Sequence, residues 1–375
     1  MKNKILLLTL KTFSATGGIE TVCKCLGKAL NESVMNNLED FSIHSLYDNN
    51  SDAYGNRYFP LNVFKGFDGH KLTYIFNSII KAHKKDIVIL SHVNLLPLGW
   101  MIKKISPKKK LLLIAHGIEV WKPFSYFKTK MLAVVDEFVS VSRFTQKKIE
   151  YIHLISSSKS SVINNCIDPY LDDNVPQLKI NALKNKFNLS ESDKIIFTLT
   201  RLSKEDRKKG CENVLKALKK VKEYNENVKY IIGGSVEHDE KNILLELASS
   251  LDLSDSLIFA DFIPNEELGA YYLLSDVFIL SSNKEGFGIV FAEAMFFGTP
   301  VIGGNQDGSM DALCDGELGT LINPSDVSSI EDALINVLKD TENFLPDRNL
   351  LLSKFSFEKY KSNWSDLLYK SKNLN

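Results

Sequence analysis

No Cys-x-x-Cys pair, no Asp-x-Asp pair and no Gly-x-Gly-x-x-Gly loop occurs in the 375 residues. The five cysteines (Cys23, Cys25, Cys166, Cys211, Cys314) are odd in number and scattered, so neither a disulfide framework nor a zinc site is indicated, and a reducing cytoplasm is the expected compartment. Cys23 and Cys25, two apart on a predicted helix, point to different faces, as packing residues do. Without an Asp-x-Asp pair there is no evident carboxylate clamp for a divalent ion on a diphosphate, and no metal is expected. The missing glycine fingerprint removes support for dinucleotide binding. Near the start, Lys2 and Lys4 precede Ile5–Leu8, but Thr9 and Lys11 end that run far short of a signal-peptide core or a membrane span, so it reads as a strand. Net charge is lacking too, with 46 Lys+Arg against 46 Asp+Glu.

What is there is an ordinary globular composition, 44% hydrophobic and 25% charged, in a chain long enough for two cores. The charge is unevenly placed. Residues 1–168 hold about 23 Lys/Arg against about 13 Asp/Glu, so the first half is roughly +10 and the remainder roughly −10. Dense spots are Lys81, Lys84 and Lys85, then Lys103, Lys104, Lys108, Lys109 and Lys110 after the apolar stretch Leu95–Ile102. A solvated lysine-rich face accounts for them, and so does attraction to anionic lipid headgroups. No interleaved aromatics or recognition helix accompany the lysines, which argues against nucleic acid.

Short apolar runs alternate with amphipathic stretches, the rhythm of parallel sheets with crossover helices. Strands are predicted at Lys4–Leu10, Phe41–Tyr47, Asp86–His92, Lys110–His116, Glu137–Ser142 and Ser160–Cys166. Helices are predicted near Ile19–Leu30, Lys71–Lys84, Leu95–Ile105, Lys128–Val135 and Arg143–Leu154. After Ile167-Asp168-Pro169, a polar passage through Ser192 is predicted as linker. The rhythm restarts with strands Lys194–Thr200, Val228–Gly234, Ser256–Phe262, Val277–Leu280, Pro300–Gly304 and Gly319–Asn323. Two doubly wound, Rossmann-like α/β domains are therefore expected.

In such sheets ligands bind beyond the strand carboxyl ends, which is where the distinctive residues fall. After the first strand, Gly17-Gly18-Ile19-Glu20 opens a helix, and bare backbone at a helix start favours phosphate; a plain helix cap explains the pair as well. His116-Gly117 ends another strand, where a histidine can reach a sugar hydroxyl or remain structural. Arg201 follows Lys194–Thr200, and Lys209 precedes the next helix at Gly210. The two can converge on one diphosphate, Arg as a fork and Lys as a point charge, although the loop reads equally as a charged surface loop. The strongest block is Glu285-Gly286-Phe287-Gly288-Ile289-Val290-Phe291-Ala292-Glu293, followed by Gly298-Thr299-Pro300-Val301. Its glycines make a bare turn into a helix whose amides suit an anion, flanked by two carboxylates that suit ribose and sugar hydroxyls. A glycosidase acid/base pair would not need that anion site.

At these residues the chain resembles the retaining glycosyltransferases of family 4. The resemblance also includes Ser140-Val141-Ser142-Arg143 and runs through nearly the whole sequence. It implies the GT-B fold, two Rossmann-like domains facing a central cleft. Residues 1–170 would be the acceptor domain, 171–356 the nucleotide-sugar domain, and a last helix within 357–375 would pack back on the first. It implies that Glu293 binds the ribose and Glu285 the transferred sugar, and that the amides of Phe287, Gly288 and Ile289 hold sugar and phosphate. Arg201 and Lys209, with Lys208 as an alternative, would grip the diphosphate. Gly17 and Gly18 would line the donor, His116 would lie by sugar and acceptor, and the base would pack near Phe262 and Ile263. Glu285, His116, Arg201 and Lys209 are the expected catalytic set.

The activity implied is hexosyl transfer from a nucleoside diphosphate sugar, UDP favoured over GDP, with retention and without a metal or other cofactor. The basic first half suggests a lipid-linked acceptor, such as an undecaprenyl-diphosphate oligosaccharide, met at the anionic inner face of the cytoplasmic membrane in polysaccharide or lipopolysaccharide synthesis. A nucleotide-sugar 2-epimerase and a non-catalytic sugar-nucleotide-binding protein are the rival readings.

Overall fold

The computed structural model describes residues 4–37, 40–204 and 209–370. The chain divides into two compact units, one reaching to Pro169 and resuming at Phe355, the other formed by Tyr170–Lys354.

The first unit holds strands β1 (Lys4–Thr9), β2 (Asp40–Ser45), β3 (Phe64–Gly66), β4 (Ile87–Leu90), β5 (Lys110–Ala115), β6 (Glu137–Ser140) and β7 (Ser160–Val162). They form one parallel sheet in the order β3-β2-β1-β4-β5-β6-β7. The crossovers carry helices α1 (Gly18–Asn37), α2 (Lys71–His83), α3 (Leu96–Ile105), α4 (Tyr126–Leu132) and α5 (Arg143–His153). Runs such as Ile5–Leu8, Ile87–Leu90 and Leu111–Ala115 are buried throughout, because helices cover both faces of an all-parallel sheet and alternation has no solvent side to serve.

The second unit repeats the plan with helix α6 (Gln177–Lys186), then β8 (Lys194–Leu199), β9 (Val228–Gly233), β10 (Leu257–Asp261), β11 (Val277–Leu280), β12 (Val301–Gly304) and β13 (Thr320–Ile322). The sheet order is β10-β9-β8-β11-β12-β13, again parallel. Its helices are α7 (Cys211–Tyr224), α8 (His238–Ser250), α9 (Asn265–Leu274), α10 (Ile289–Phe296), α11 (Ser309–Ala312), α12 (Val327–Lys339) and α13 (Arg348–Phe355). The last helix, α14 (Phe357–Lys370), packs on α1 in the first unit. Tyr360, Trp364 and Leu368 are buried there, and Lys361 Nζ lies 2.9 Å from Glu32 Oε2.

Several sequence expectations need correction. The presumed linker contains α6, which packs on α9 through buried Leu183 and a contact between the Phe187 and Tyr271 rings (centroids 6.2 Å apart). Only Leu183 is buried on α6, so no apolar stripe betrayed it. Of Ser160–Cys166 only Ser160–Val162 pairs as strand, and β3 was too short to show a pattern. Lys85 is no part of a basic surface. It is buried with Nζ 2.8 Å from Asp40 Oδ2 and 3.1 Å from Ser42 Oγ, and burial pushes its pKa down to about 8. The stretch Leu95–Ile102 likewise turns Leu95, Leu96, Leu98 and Ile102 into the core.

Candidate functional site

Each sheet reverses its strand order once, between β1 and β4 and between β8 and β11. At such a reversal the crossover helices leave on opposite faces and open a crevice beyond the strand ends.

In the second unit, β8 leads to Arg201 and on to Lys209; residues 205–208, Lys208 among them, lie outside the described residues. Thr200 N donates to Gly233 O (2.9 Å) and Leu202 N to Ser235 O (2.9 Å), so the segment stays extended beside β9. Leu202 is buried and Arg201 exposed, the alternation that extended backbone imposes. Gly210 then caps α7 with φ +84°, and a Cβ there would lie 1.8 Å from the Ser281 carbonyl oxygen. Only glycine allows the β8–α7 loop to pass so close to the end of β11.

Beyond β11 the chain turns through Glu285-Gly286-Phe287-Gly288 into α10. Gly288 is the N-cap, at φ +86°, and no side chain caps the helix. A Cβ on it would meet the Phe291 ring at 2.5 Å. Phe287 is buried and anchors the turn, leaving backbone at the helix start. Lys209 and Glu285 form an ion pair, both side chains mostly buried. Glu293, on the second turn of α10, accepts a hydrogen bond from Tyr272 Oη at 3.1 Å. The Tyr272 ring is fully buried among Phe197, Phe278 and Phe297, centroids 5.6 to 5.7 Å apart. Burial first, then the Glu293 charge, holds its phenol well above the usual range, so it remains a donor to the carboxylate.

Asp307, after β12, supports this loop. Its Oδ2 accepts from Glu285 N (2.6 Å) and its Oδ1 from Ser309 N (2.9 Å), and Gly308 N donates to Glu285 O (2.8 Å). Burial lifts the Asp307 carboxyl to about 6 against the two amide bonds that lower it. The folded chain therefore takes up a proton here between pH 3.8 and about 6 that the unfolded chain does not. This group favours the fold below that window, and the contribution is lost as pH climbs through it. In Asp307→Asn the difference in melting temperature, variant minus parent, should rise from pH 4 to pH 7, by up to about 3 kcal/mol of stability. A flat difference would remove the charge from this role.

Phe262, beyond β10, is exposed, whereas Ile263 is buried against Gly233. Of the pair expected near a base, only Phe262 offers a side chain.

In the first unit, β1, β4 and β5 end beside one another. His116 Nε2 lies 2.6 Å from the Ser91 carbonyl oxygen, which can only accept, so Nε2 carries the proton and Nδ1 is the acceptor in the neutral ring. Gly117 adopts φ 152°, ψ −116°, and Glu119 accepts from the amides of His116 (2.6 Å) and Gly117 (3.1 Å). His92, after β4, was not singled out from sequence, although it obeys the same positional rule. Its Nδ1 accepts from Asn94 N (3.1 Å); burial lowers its pKa, Glu119 opposes, and neighbouring His116 adds to the lowering. The loop after β1 is held by buried Asp48, which accepts from the amides of Thr12 (2.7 Å), Phe13 (3.2 Å) and Ser14 (2.7 Å). Gly17 and Gly18 open α1, and the Glu20 carboxylate reaches within 2.7 Å of where a Gly17 Cβ would stand. An acid thus already faces this helix start.

Residues 179–349 match the family described as glycosyl transferases group 1. An uncharacterised glycosyltransferase from Methanocaldococcus jannaschii is 30% identical over 206 residues, 54% of this chain and 51% of that protein. A GDP-mannose-dependent alpha-(1-6)-phosphatidylinositol monomannoside mannosyltransferase from Mycolicibacterium smegmatis is 26% identical over 246 residues, 62% of each chain. The chain thus spans between half and two thirds of the length of these two curated relatives. Among solved structures, Anabaena HepE in complex with UDP-glucose superposes with a TM-score of 0.78 at 18% identity, covering 98% of this chain and 100% of that one. The likeness shows the fold class: GT-B, built of two Rossmann-like α/β units.

Proposed function

We propose that this chain is a glycosyltransferase of the group 1 type that moves a hexose from a nucleoside diphosphate sugar to an acceptor hydroxyl, with retention at the anomeric carbon. One observation carries the reading. Arg201, Lys209, the uncapped start of α10, Glu285 and Glu293 all follow β8 or β11, the two strands that flank the reversal in one sheet. Cations and amides there suit a diphosphate, and the two carboxylates suit hydroxyls of ribose and sugar.

The reaction breaks the bond between the anomeric carbon and the phosphate oxygen, leaving positive charge on the ring and negative charge on the departing diphosphate. Arg201, Lys209 and the α10 amides draw off that negative charge, and groups that grip harder in the transition state raise turnover. The departing oxygen takes the proton of the acceptor hydroxyl, which attacks from the same face. His116, with its proton fixed on Nε2, can orient acceptor or sugar through Nδ1. The first unit is the acceptor-binding half, and the acceptor is lipid-linked, in cell-surface polysaccharide or lipopolysaccharide synthesis on the cytoplasmic side of the membrane. The relative acting on a phosphatidylinositol mannoside supports a lipid acceptor. The donor is a UDP-sugar, the nucleotide class held by HepE.

Transfer should need no divalent ion. The test combines thermal stabilisation by a panel of UDP- and GDP-sugars with transfer assays in excess chelator. A UDP-sugar should raise the melting temperature most, and chelator should leave the rate unchanged. Epimer formation without acceptor, or donor binding without transfer to any acceptor, would replace the reading with an epimerase or a binding protein.

A further inference from the structure

We infer that the outer face of α2, α3 and α4 is a docking surface for an anionic lipid bilayer. The inference deepens the lipid-acceptor reading and is tested apart from it. The three helices cover one side of the first sheet. Tyr74 and Ala82 of α2, Leu96, Leu98 and Ile102 of α3, and Leu132 of α4 share one core beneath them. Helix α2 packs on α3, and α3 on α4.

With their inner faces satisfied, these helices still expose large apolar side chains. Leu72 (84% exposed), Phe76 (66%) and Ile80 (49%) recur every fourth residue along α2, a spacing that keeps them on one stripe. Met101 and Ile105 are exposed on α3, and Tyr126 (67%) and Phe127 (74%) on α4. Single exposed apolar residues need no explanation, but seven on three adjoining helices form a surface.

The charges carried by the three helices themselves have one sign. None of α2, α3 and α4 contains Asp or Glu. Of the two acids between them, Asp86 is exposed and accepts from Lys4 N, and Glu119 accepts from His116 N and Gly117 N. Lys103 is tied to Asp136. Lys84, Lys104, Lys108, Lys109, Lys122 and Lys130 have no carboxylate partner among the described residues. Lys104 Nζ lies 5.6 Å from the Trp100 ring centroid and Lys130 Nζ 4.3 Å from that of Tyr126. Both ammonium groups stand over aromatic faces, so cation and apolar ring occupy the same patch.

The interleaving decides the partner. Lysine is depleted at protein–protein interfaces, whose cores shed charge, and a nucleic acid would leave Leu72, Phe76 and Ile80 without use. A leaflet that offers acyl chains and anionic headgroups together satisfies both halves.

The test is co-sedimentation of the full chain with phosphatidylcholine vesicles containing roughly one part in three phosphatidylglycerol, at low and high salt. Binding is expected at low salt and should fall with salt and with removal of phosphatidylglycerol. The triple variant Lys104→Gln, Lys108→Gln, Lys109→Gln should bind roughly 100-fold more weakly. The pair Phe76→Ser and Phe127→Ser should lose about tenfold or more. Lys104, Lys108, Phe76 and Phe127 are exposed and Lys109 is half-buried, and an unchanged melting temperature confirms folding. No binding by the parent chain, or unchanged binding in both variants, overturns the inference. So does lipid-free self-association that the Phe76/Phe127 pair abolishes, since a second copy of the chain would then be the occupant. Binding of a UDP-sugar to the lipid-free protein tests the transferase reading separately, so either can fail without the other.

Discussion

Arg201→Ala should lower turnover at saturating donor about 10²- to 10³-fold, while changing the donor concentration for half-maximal rate far less. The split follows from where charge develops. A bound diphosphate sugar is already anionic and, in the proposed site, is held by several groups at once, the α10 start among them. The extra negative charge appears only as the glycosyl bond parts, and the guanidinium fork is the strongest donor available to meet it. Arg201 is exposed on a segment tied to β9 by the amides on either side of it. Its loss should therefore leave the melting temperature near that of the parent. Arg201→Lys should recover only part of the rate, because an ammonium restores the charge and not the fork. Lys209 belongs to the same argument with a difference. It pairs with Glu285, so Lys209→Ala removes a proposed diphosphate ligand and also strands a mostly buried carboxylate. Near-normal turnover of Arg201→Ala, measured with donor in excess, would remove this residue from the mechanism and leave the proposed charge stabilisation without its main carrier.

How far this site can be seen in the bare sequence depends on which force places each residue. Strands such as Ile87–Leu90 and Val277–Leu280 are continuous apolar runs, and burial on both faces is the only environment that suits them. The positions of Arg201, His116 and the Glu285–Glu293 block were legible because they follow such runs, the first two within two residues and the block within five. Asp307 and Asp48 were not. Each is a buried acid whose partners are backbone amides, 22 residues away in sequence for Glu285 and 34 to 36 away for the loop after β1. Short-range pattern holds no trace of such a contact, and tertiary structure alone creates it. Helix α6 and buried Lys85 failed for a related reason. Residue type suggested solvent, and a neighbouring element supplied the burial or the counter-charge. The exposed stripe on α2 shows the converse. Leu72, Phe76 and Ile80 carry the same helical signal as core residues, and only the structure shows that the core beneath is already filled by Tyr74, Ser78 and Ala82.

Gly308→Ala should abolish most donor binding and transfer although no group that contacts substrate is changed. Gly308 has ordinary helical backbone angles, φ −67° and ψ −7°, so alanine meets no backbone strain there. The obstacle is space. A Cβ at this position would lie 2.1 Å from the Gly286 carbonyl oxygen and 2.8 Å from that of Glu285. Both atoms are backbone of the loop that enters α10, and they cannot swing aside as a side-chain tip would. Normal contact requires the loop to retreat by about 1 Å, and a displacement of that size in a positioning element typically costs about 10²-fold. The same retreat pulls Glu285 from Lys209 and strains the Asp307 bond to Glu285 N. Gly298→Ala is the control: it lies at φ +79° with open space around it, so it should lower stability by about 1 kcal/mol and leave the rate intact. If Gly308→Ala binds a UDP-sugar and turns over like the parent while Gly298→Ala shows its modest loss of stability, the Glu285–Gly288 turn is not the rigid cradle proposed for the diphosphate. A large loss in Gly308→Ala, with circular dichroism and melting temperature little changed, would tie the chemistry to the position of that turn and to the buried aspartate that holds it.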